Sequence, residues 1–133
     1  MGPTGGVVLS EISKSEIDSD LSNFIVVPSV RLLDYIDDRV DFLKLDIEGS
    51  EVEVLLDCKE RLDRVDHVFV ELHSFVNRRQ RLDEMLSALV ESGFRYHIQP
   101  ELVSERPFLT RYNDNGMDQR LNIFGYRSYS GAH

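Results

Sequence analysis

The chain has 133 residues, of which 41% are hydrophobic and 29% charged, and its formal net charge is −9. These values are typical of one soluble globular domain, and the acidic balance argues against binding to nucleic acid or to an anionic membrane surface. No apolar run approaches the roughly 18 residues of a transmembrane helix. The single cysteine, Cys58, excludes an internal disulfide and favours a reducing, cytoplasmic compartment.

The N-terminal quarter of the chain is weakly patterned. Residues 1–23 are rich in glycine and polar side chains, which predicts a flexible or poorly packed N-terminal arm. A β-branched run at residues 24–27, closed by a proline, predicts an edge or terminal strand. Ser29 then predicts the N-cap of a short helix. The domain is therefore expected to span residues 24–127, and residues 128–133 to form a polar tail.

The segment at residues 40–51 predicts a buried strand followed directly by a helix. Its side chains alternate between an apolar set and a charged set. The apolar set is Leu43, Leu45 and Ile47, and the charged set is Lys44, Asp46 and Glu48. Gly49 permits a tight reversal, and Ser50 with Glu53 predicts a capping box for a helix over residues 50–61. Ligands of open α/β sheets bind beyond the carboxyl ends of the strands, so these charges occupy the position expected of a site.

A second strand is predicted at residues 67–73, and it also ends in charged side chains, Glu71 and His73. Two such strands joined by one helix form a βαβ unit with a right-handed crossover. The strands should therefore be parallel, and their charged ends should share one rim of the sheet.

The last third of the chain predicts one helix and two further strands. Apolar side chains recur at helical spacing over residues 82–90, with Gly93 at the C′ position. Strands are expected at residues 94–99, ended by Pro100, and at residues 121–126. The segment between them is about twenty residues long, a length that is usual for functional or disordered loops. The pattern as a whole predicts an α/β fold.

Two smaller features bear on function. Arg78, Arg79 and Arg81 cluster just before the second helix, and this position favours a solvated helix start over a phosphate-binding patch. Cys58 flanks the apolar stripe of the first helix, so we expect a half-buried packing thiol and not a nucleophile.

The chemical candidates lie at the two strand tips: Lys44, Asp46, Glu48, Glu71 and His73. If the strands are neighbours at about 4.8 Å, Asp46, Glu71 and His73 can converge on one atom, as a divalent metal or a proton-transfer site needs. Structural roles are the alternative. Lys44 can neutralise Asp46. Glu48 and Glu51 can be favourable anions at a helix N-terminus, and His73 can cap a strand. Residue types alone leave both interpretations open.

Three segments together resemble the C-terminal half of the FkbM family of S-adenosylmethionine-dependent methyltransferases. They are residues 30–36, residues 40–51 with the pattern Lys-x-Asp-x-Glu-Gly-x-Glu, and residues 68–73. The resemblance covers about residues 24–127. It implies a Rossmann-like sheet of strand order 3-2-1-4-5-7-6, with strand 7 antiparallel, of which this chain supplies strands 4, 5, 6 and 7. It also implies O-methylation of a small-molecule hydroxyl, on a sugar or a secondary metabolite.

The resemblance assigns roles to the strand-tip residues. Asp46 matches the acidic position after strand 4 that lines the cofactor and substrate cleft, and Glu48 lies beside it. Catalytic candidates are then Asp46, His73, Glu71 and Lys44. Asp46 and Glu48 are expected to contact S-adenosylmethionine, and Asp46, Glu71 and His73, which can converge on one atom, are the candidate ligands of a divalent metal. In such an enzyme the proton of the acceptor hydroxyl passes to His73 or a carboxylate, or a metal lowers the hydroxyl pKa.

Two family features have no counterpart in the sequence: a glycine-rich loop after strand 1 and an acidic residue after strand 2. The chain is therefore interpreted as a fragment that by itself neither binds S-adenosylmethionine measurably nor methylates an acceptor. Without its usual neighbour, the strand at residues 42–47 is expected to self-associate or to be covered by residues 24–27. Two rival functions are a noncatalytic α/β interaction module with an acidic rim and a metal-dependent phosphohydrolase.

Overall fold

A four-stranded mixed sheet organises the part of the chain that the structure describes, which comprises residues 6–7, 26 and 28–128 of a computed structural model. A separate antiparallel pair is formed by two very short strands, β1 (Gly6–Val7) and β2 (Pro28–Ser29). The main sheet contains β3 (Val40–Leu45), β4 (Val65–Phe75), β5 (Arg95–Leu102) and β6 (Met117–Tyr126). The α/β class predicted from the sequence is confirmed.

The spatial order of the main sheet is β3-β4-β6-β5. β3 and β4 are parallel, as the βαβ pattern predicts, whereas β6 runs antiparallel between β4 and β5. The carboxyl ends of β3, β4 and β5 therefore share one rim, which we call the C-terminal rim. This is the order of strands 4, 5, 7 and 6 in the Rossmann-like sheet that the resemblance implies, and the predicted partial sheet is confirmed.

Two α-helices, α1 (Glu51–Asp57) and α2 (Leu82–Glu91), pack on one face of this sheet. Short 3-10 helices at Leu32–Tyr35 and Lys59–Arg64 precede β3 and β4. Buried apolar side chains join helices to strands: Leu43, Leu45, Leu55, Val68, Val70, Leu89 and Ile123. Burial of each such side chain stabilises the fold by about 2 kcal/mol, so this core holds the strand ends in place. Among the described residues, no helix is long and apolar enough to cross a membrane.

The first helix differs from its prediction in three ways. It is shorter, because the chain tightens into a 3-10 helix after Cys58. The predicted capping box is wrong, since the Ser50 side chain makes no capping hydrogen bond and Glu53 instead accepts one from Arg81. Cys58 is fully buried and not half-buried, and this burial raises the pKa of its thiol to about 11. The thiol therefore has the environment of a packing residue.

Strand ends also differ from the predictions. β4 continues through Phe75 because it pairs with β6 along most of its length. β5 continues past Pro100, which is tolerated because β5 is an edge strand of the described sheet and its register with β6 shifts there. β6 begins at Met117, inside the predicted loop. Ser29 lies in β2, and the following 3-10 helix begins only at Leu32.

Several predictions fall wholly or mostly outside the described residues. They concern the arm at residues 1–23, the strand at residues 24–27 and the tail at residues 128–133. Within the described part, β3 pairs with β4 alone, so one side of this strand is open there. Self-association through that side stays a prediction.

Arg127 joins three segments just after β6. Its guanidinium donates hydrogen bonds to the carbonyl oxygens of Leu62 (2.7 Å), Val65 (3.0 Å) and Ser92 (2.8 Å). It also lies 4.0 Å from the centre of the Phe94 ring, a favourable cation–π distance. These contacts secure the end of the sheet opposite the C-terminal rim.

Candidate active site

The turn between β3 and α1 is built by two residues with positive φ. Glu48 has φ 52° and Gly49 has φ 115°, a region in which residues with a Cβ are strained. A Cβ at Gly49 would also lie 2.7 Å from Nη1 of Arg78 and 3.1 Å from the Phe75 ring. Glycine is therefore required here, and the turn delivers the start of α1 directly to the C-terminal rim.

Glu51, the first residue of α1, is completely buried. Its Oε2 accepts a hydrogen bond from the backbone N–H of Gly49 at 2.7 Å, and its Oε1 accepts one from Nδ1 of His73. A carboxylate oxygen can only accept, so this network assigns the imidazole proton to Nδ1. The lone pair of Nε2 then points away from Glu51.

Two further carboxylates face Nε2 of His73. Oδ1 of Asp46 and Oε2 of Glu71 each lie 3.9 Å from it. One ligand atom from each of Asp46, Glu71 and His73 can be chosen so that all three lie within 4.8 Å of one another. We call Asp46, Glu51, Glu71 and His73 the carboxylate–histidine cluster. The convergence of three strand-tip residues predicted from the sequence is therefore present.

The two carboxylates that face His73 interact strongly with each other. A hydrogen bond with Asp46 raises the pKa of Glu71 to about 7, and burial and the nearby Glu101 add to the effect. From β6, Arg120 places its Nε 3.4 Å from Glu71 and its Nη2 3.1 Å from Glu101. The guanidinium of Arg120 is the main cause that lowers the pKa of Glu101. The cluster therefore retains a proton near neutral pH.

Buried polar atoms on β6 border the cluster. Nε of Arg120 and Oδ1 of Asn122 have no hydrogen-bond partner among the residues that the structure describes. Asn122 is the β6 partner of Glu71, and Arg120 is the β6 partner of His73. Nε of Arg120 still has its ion-pair contact with Glu71, so within the described part of the chain Oδ1 of Asn122 is the acceptor that stays open beside the cluster.

The other two sequence candidates lie outside the cluster. Lys44 is exposed with its Nζ 5.9 Å from the centre of the Phe69 ring, and it forms no ion pair with Asp46 in the described structure. The predicted neutralisation of Asp46 by Lys44 is therefore not found. Glu48 is exposed in the β3–α1 turn. A cavity of about 410 Å³ lies beside the cluster, with Gly49 and His73 in its wall.

The family model of the methyltransferase FkbM domain matches residues 4–96. The chain belongs to the FkbM methyltransferase family. No curated protein and no solved structure matches it. The matched part of this FkbM domain contains the whole carboxylate–histidine cluster. Membership supports the methyltransferase interpretation over the phosphohydrolase and interaction-module alternatives.

Sequence reasoning misses two residues of the site in this FkbM domain. It assigns Glu51 only a role as an anion at a helix N-terminus, although its place at the end of the Lys-x-Asp-x-Glu-Gly-x-Glu pattern is a signal for it. Arg120 lies in a predicted loop, and only the β4–β6 pairing brings it to Glu71. No sequence pattern identifies this second contact.

Proposed function

We propose that this FkbM domain serves transfer of a methyl group from S-adenosylmethionine to a hydroxyl oxygen of a small molecule, a sugar or a secondary metabolite. The observation that carries the proposal is the hydrogen bond from Nδ1 of His73 to the buried carboxylate of Glu51. A histidine held in this way by a carboxylate presents Nε2 as a base, which is the group that an acceptor hydroxyl needs.

Each residue of the carboxylate–histidine cluster has its own role in the proposed reaction. Nε2 of His73 accepts the hydroxyl proton as the oxygen becomes nucleophilic. Glu51 stabilises the imidazolium that forms, because its negative charge has no exposed surface and is weakly screened. On the other side of the ring, Asp46 places a carboxylate 3.9 Å from Nε2, and Glu71, at the same distance, adds negative charge once it loses its proton above about pH 7. These carboxylates favour the charged form that proton transfer creates.

The exposed carboxylates at the end of β3 fit the charge of the proposed cofactor. S-adenosylmethionine carries a sulfonium and an ammonium group, and Asp46 and Glu48 are exposed acids at the C-terminal rim. We infer that these two residues contact its cationic part. When bound, the cofactor supplies the electrophilic methyl group.

A divalent cation is a second candidate for the same cluster. Asp46, Glu71 and His73 provide two oxygen ligands and one nitrogen ligand within mutual reach. A metal-binding histidine normally donates its other N–H to a carboxylate, and Glu51 accepts that bond here. A cation would lower the pKa of the acceptor hydroxyl. Calorimetric titration with Mg²⁺ and Mn²⁺ tests this role, and binding that survives Asp46→Asn with Glu71→Gln would contradict it.

The proposal is tested by an assay of methyl transfer from radiolabelled S-adenosylmethionine to a panel of hydroxyl acceptors. The assay uses the full-length protein that contains this FkbM domain. His73→Asn should lower kcat by about 10²- to 10⁴-fold, the contribution of a general base. His67→Asn is the matched control, because His67 is an exposed histidine near the opposite end of β4. Full activity of His73→Asn would contradict the proposed role of the cluster.

Cofactor binding by the 133-residue chain is a separate test. The sequence contains no Gly-x-Gly loop of the kind that holds the methionine part of the cofactor. Loss of about 4 kcal/mol of contact weakens binding roughly a thousandfold, so we expect no low-micromolar affinity by calorimetry. Tight binding would mean that other residues of the chain complete the cofactor site.

A further inference from the structure

The 410 Å³ cavity beside the cluster has two chemically different parts. Its apolar part is formed by side chains from α1, β4, β6 and the start of α2: Val52, Leu72, Phe75, Leu82 and Leu121. Its polar part contains the arginines of the segment between β4 and α2. His73 belongs to the wall of this cavity and to the carboxylate–histidine cluster. A molecule bound here would therefore lie beside His73.

Arg81 is already neutralised by two carboxylates. It lies 2.8 Å from Glu53 and 2.7 Å from Glu84. Arg81 therefore fits the solvated helix start expected from the sequence. Its ion pair also neutralises Glu53, which lines the cavity.

Arg78 and Arg79 differ from Arg81 because neither forms an ion pair within the part of the chain that the structure describes. Arg78 stacks 5.1 Å from the centre of the Phe75 ring and lies against Gly49. Arg79 lines the same cavity. Two arginines without a carboxylate partner among the described residues therefore line one cavity, in a chain whose net charge is −9.

We propose that this cavity binds an acceptor with an apolar body and an anionic group, a carboxylate or a phosphate, held by Arg78 and Arg79. The inference rests on the proposed function, since the hydroxyl of this acceptor is the group presented to His73. A volume of about 410 Å³ lies within the range of small-molecule sites. Guanidinium groups bind carboxylates and phosphates through paired hydrogen bonds, and stacking on Phe75 pre-organises Arg78 for that contact.

Titration of the ¹⁵N-labelled 133-residue chain tests the inference without methyl transfer. The probes are 3-(4-hydroxyphenyl)propanoate, its uncharged primary amide and 2-(4-hydroxyphenyl)ethyl phosphate. We expect at least one anionic probe to shift the backbone signals of Gly49, His73 and Leu82. The amide should bind about tenfold more weakly, because loss of one charge-assisted contact costs about 1.4 kcal/mol or more. The two anionic probes distinguish a carboxylate acceptor from a phosphate acceptor.

Substitutions locate the binding. Arg78→Gln with Arg79→Gln should weaken the anionic probe about tenfold and leave the amide unchanged. Arg95→Gln is the matched control, because Arg95 is an exposed arginine at the opposite end of β5 from the C-terminal rim. Arg79→Gln alone keeps the test informative if loss of the Arg78 contact with Gly49 disturbs the fold. His73→Asn should retain binding.

Three results would overturn the inference: equal affinity for an anionic probe and its amide, signal shifts away from the cavity, or affinity unchanged by the arginine substitutions. Failure of this inference is separable from failure of the proposed function. Binding of an acid at the cavity, together with no methyl transfer by the protein used in the radiolabel assay, contradicts only the proposed function. Methyl transfer to neutral acceptors, with no anion binding, contradicts only the arginine site.

Discussion

The carboxylate of Glu51 accepts a hydrogen bond from Nδ1 of His73, 22 residues further along the chain. Glu51 opens α1, and His73 lies near the end of β4, so this one contact connects the helix N-terminus with the tip of the parallel strand. A buried carboxylate is costly unless it is hydrogen-bonded, and both oxygens of Glu51 have a partner. The pair therefore orients the imidazole and stabilises the rim together.

Substitution Glu51→Gln should separate these two roles. The neutral amide keeps the shape of the side chain but removes the charge that stabilises the imidazolium, so methyl transfer should fall about 10- to 100-fold. The amide can also donate to Nδ1, and ¹⁵N NMR should then show the imidazole proton partly on Nε2. Glu60→Gln, at an exposed acid of the 3-10 helix before β4, is the control. An unchanged tautomer with unchanged rate would contradict the orienting role.

Substitution Asp46→Asn should abolish turnover and leave the fold intact. The side chain of Asp46 is 40% exposed, so it contributes little to packing, whereas its charge faces Nε2 of His73. Thermal melts and initial rates are measured on the same preparation. Asp41→Asn, at an exposed acid on the same strand, should retain activity. An active Asp46→Asn enzyme would show that the carboxylate has no part in the chemistry.

The pKa of Glu71 predicts a pH-dependent stability. Its folded-state pKa of about 7 lies above the ordinary value of 4.5, so the folded chain holds the proton more tightly than the unfolded chain. The stabilising contribution is complete below about pH 4.5 and is lost as pH rises through about 7.

Urea unfolding with a chelator present, from pH 4 to pH 8, measures this contribution. Relative to Glu71→Gln, which mimics the protonated acid, the wild-type chain should lose on the order of 2 kcal/mol across that range. The corresponding difference for Glu60→Gln should be flat. A wild-type chain that gains stability relative to Glu71→Gln as pH rises would reverse the predicted sign.

Substitution Gly49→Ala should destabilise the chain by about 2 to 4 kcal/mol. Positive φ costs about 1 to 2 kcal/mol for a residue with a Cβ, and the new methyl group also meets the Phe75 ring at 3.1 Å, whereas the flexible end of Arg78, at 2.7 Å, can move aside. Gly116→Ala isolates the first cost, because Gly116 has φ 88° and a methyl group added there would meet no heavy atom within 4 Å. Denaturant unfolding of both variants gives the comparison, and Gly49→Val should be worse still. Equal losses would mean that the Phe75 ring adjusts without cost.

Substitution Arg127→Lys should lower the free energy of unfolding by on the order of 3 kcal/mol, although the charge is kept. A single ammonium group cannot reach the carbonyls of Leu62, Val65 and Ser92 together, and buried carbonyls without a partner cost about 1 kcal/mol or more each. Arg95→Lys, at an exposed position, should be neutral. Urea unfolding midpoints give the comparison, and near-wild-type stability of Arg127→Lys would show that one ammonium group can replace the three hydrogen bonds.

Two sequence patterns are enough to predict the parallel strand pair and its charged rim. They are the alternating pattern around Asp46 and a second strand that likewise ends in charged residues, at His73. A period of two and the right-handed crossover are local rules, so one sequence suffices to apply them. The geometric convergence of Asp46, Glu71 and His73 is a direct result of these rules. Their chemical roles stay predictions.

The features that sequence reasoning misses depend on contacts between distant segments. Glu51 is buried because His73 lies beside it, and Glu53 is drawn to Arg81, so the predicted capping box does not form. β5 continues past Pro100 because its pairing with β6, which the sequence of β5 does not reveal, determines which backbone N–H groups must form hydrogen bonds. Arg120 reaches Glu71 only after β6 has paired with β4.

The place of β6 between β4 and β5 has a consequence for synthesis of the chain. β6 is the last described strand in sequence, yet it is an interior strand of the sheet. During translation, β4 and β5 leave the ribosome before their shared partner exists, and each presents unpaired backbone groups until residues 117–126 follow. Pairing between segments so far apart is slow to form. Until β6 follows, β4 and β5 each keep one open edge that can pair with other chains.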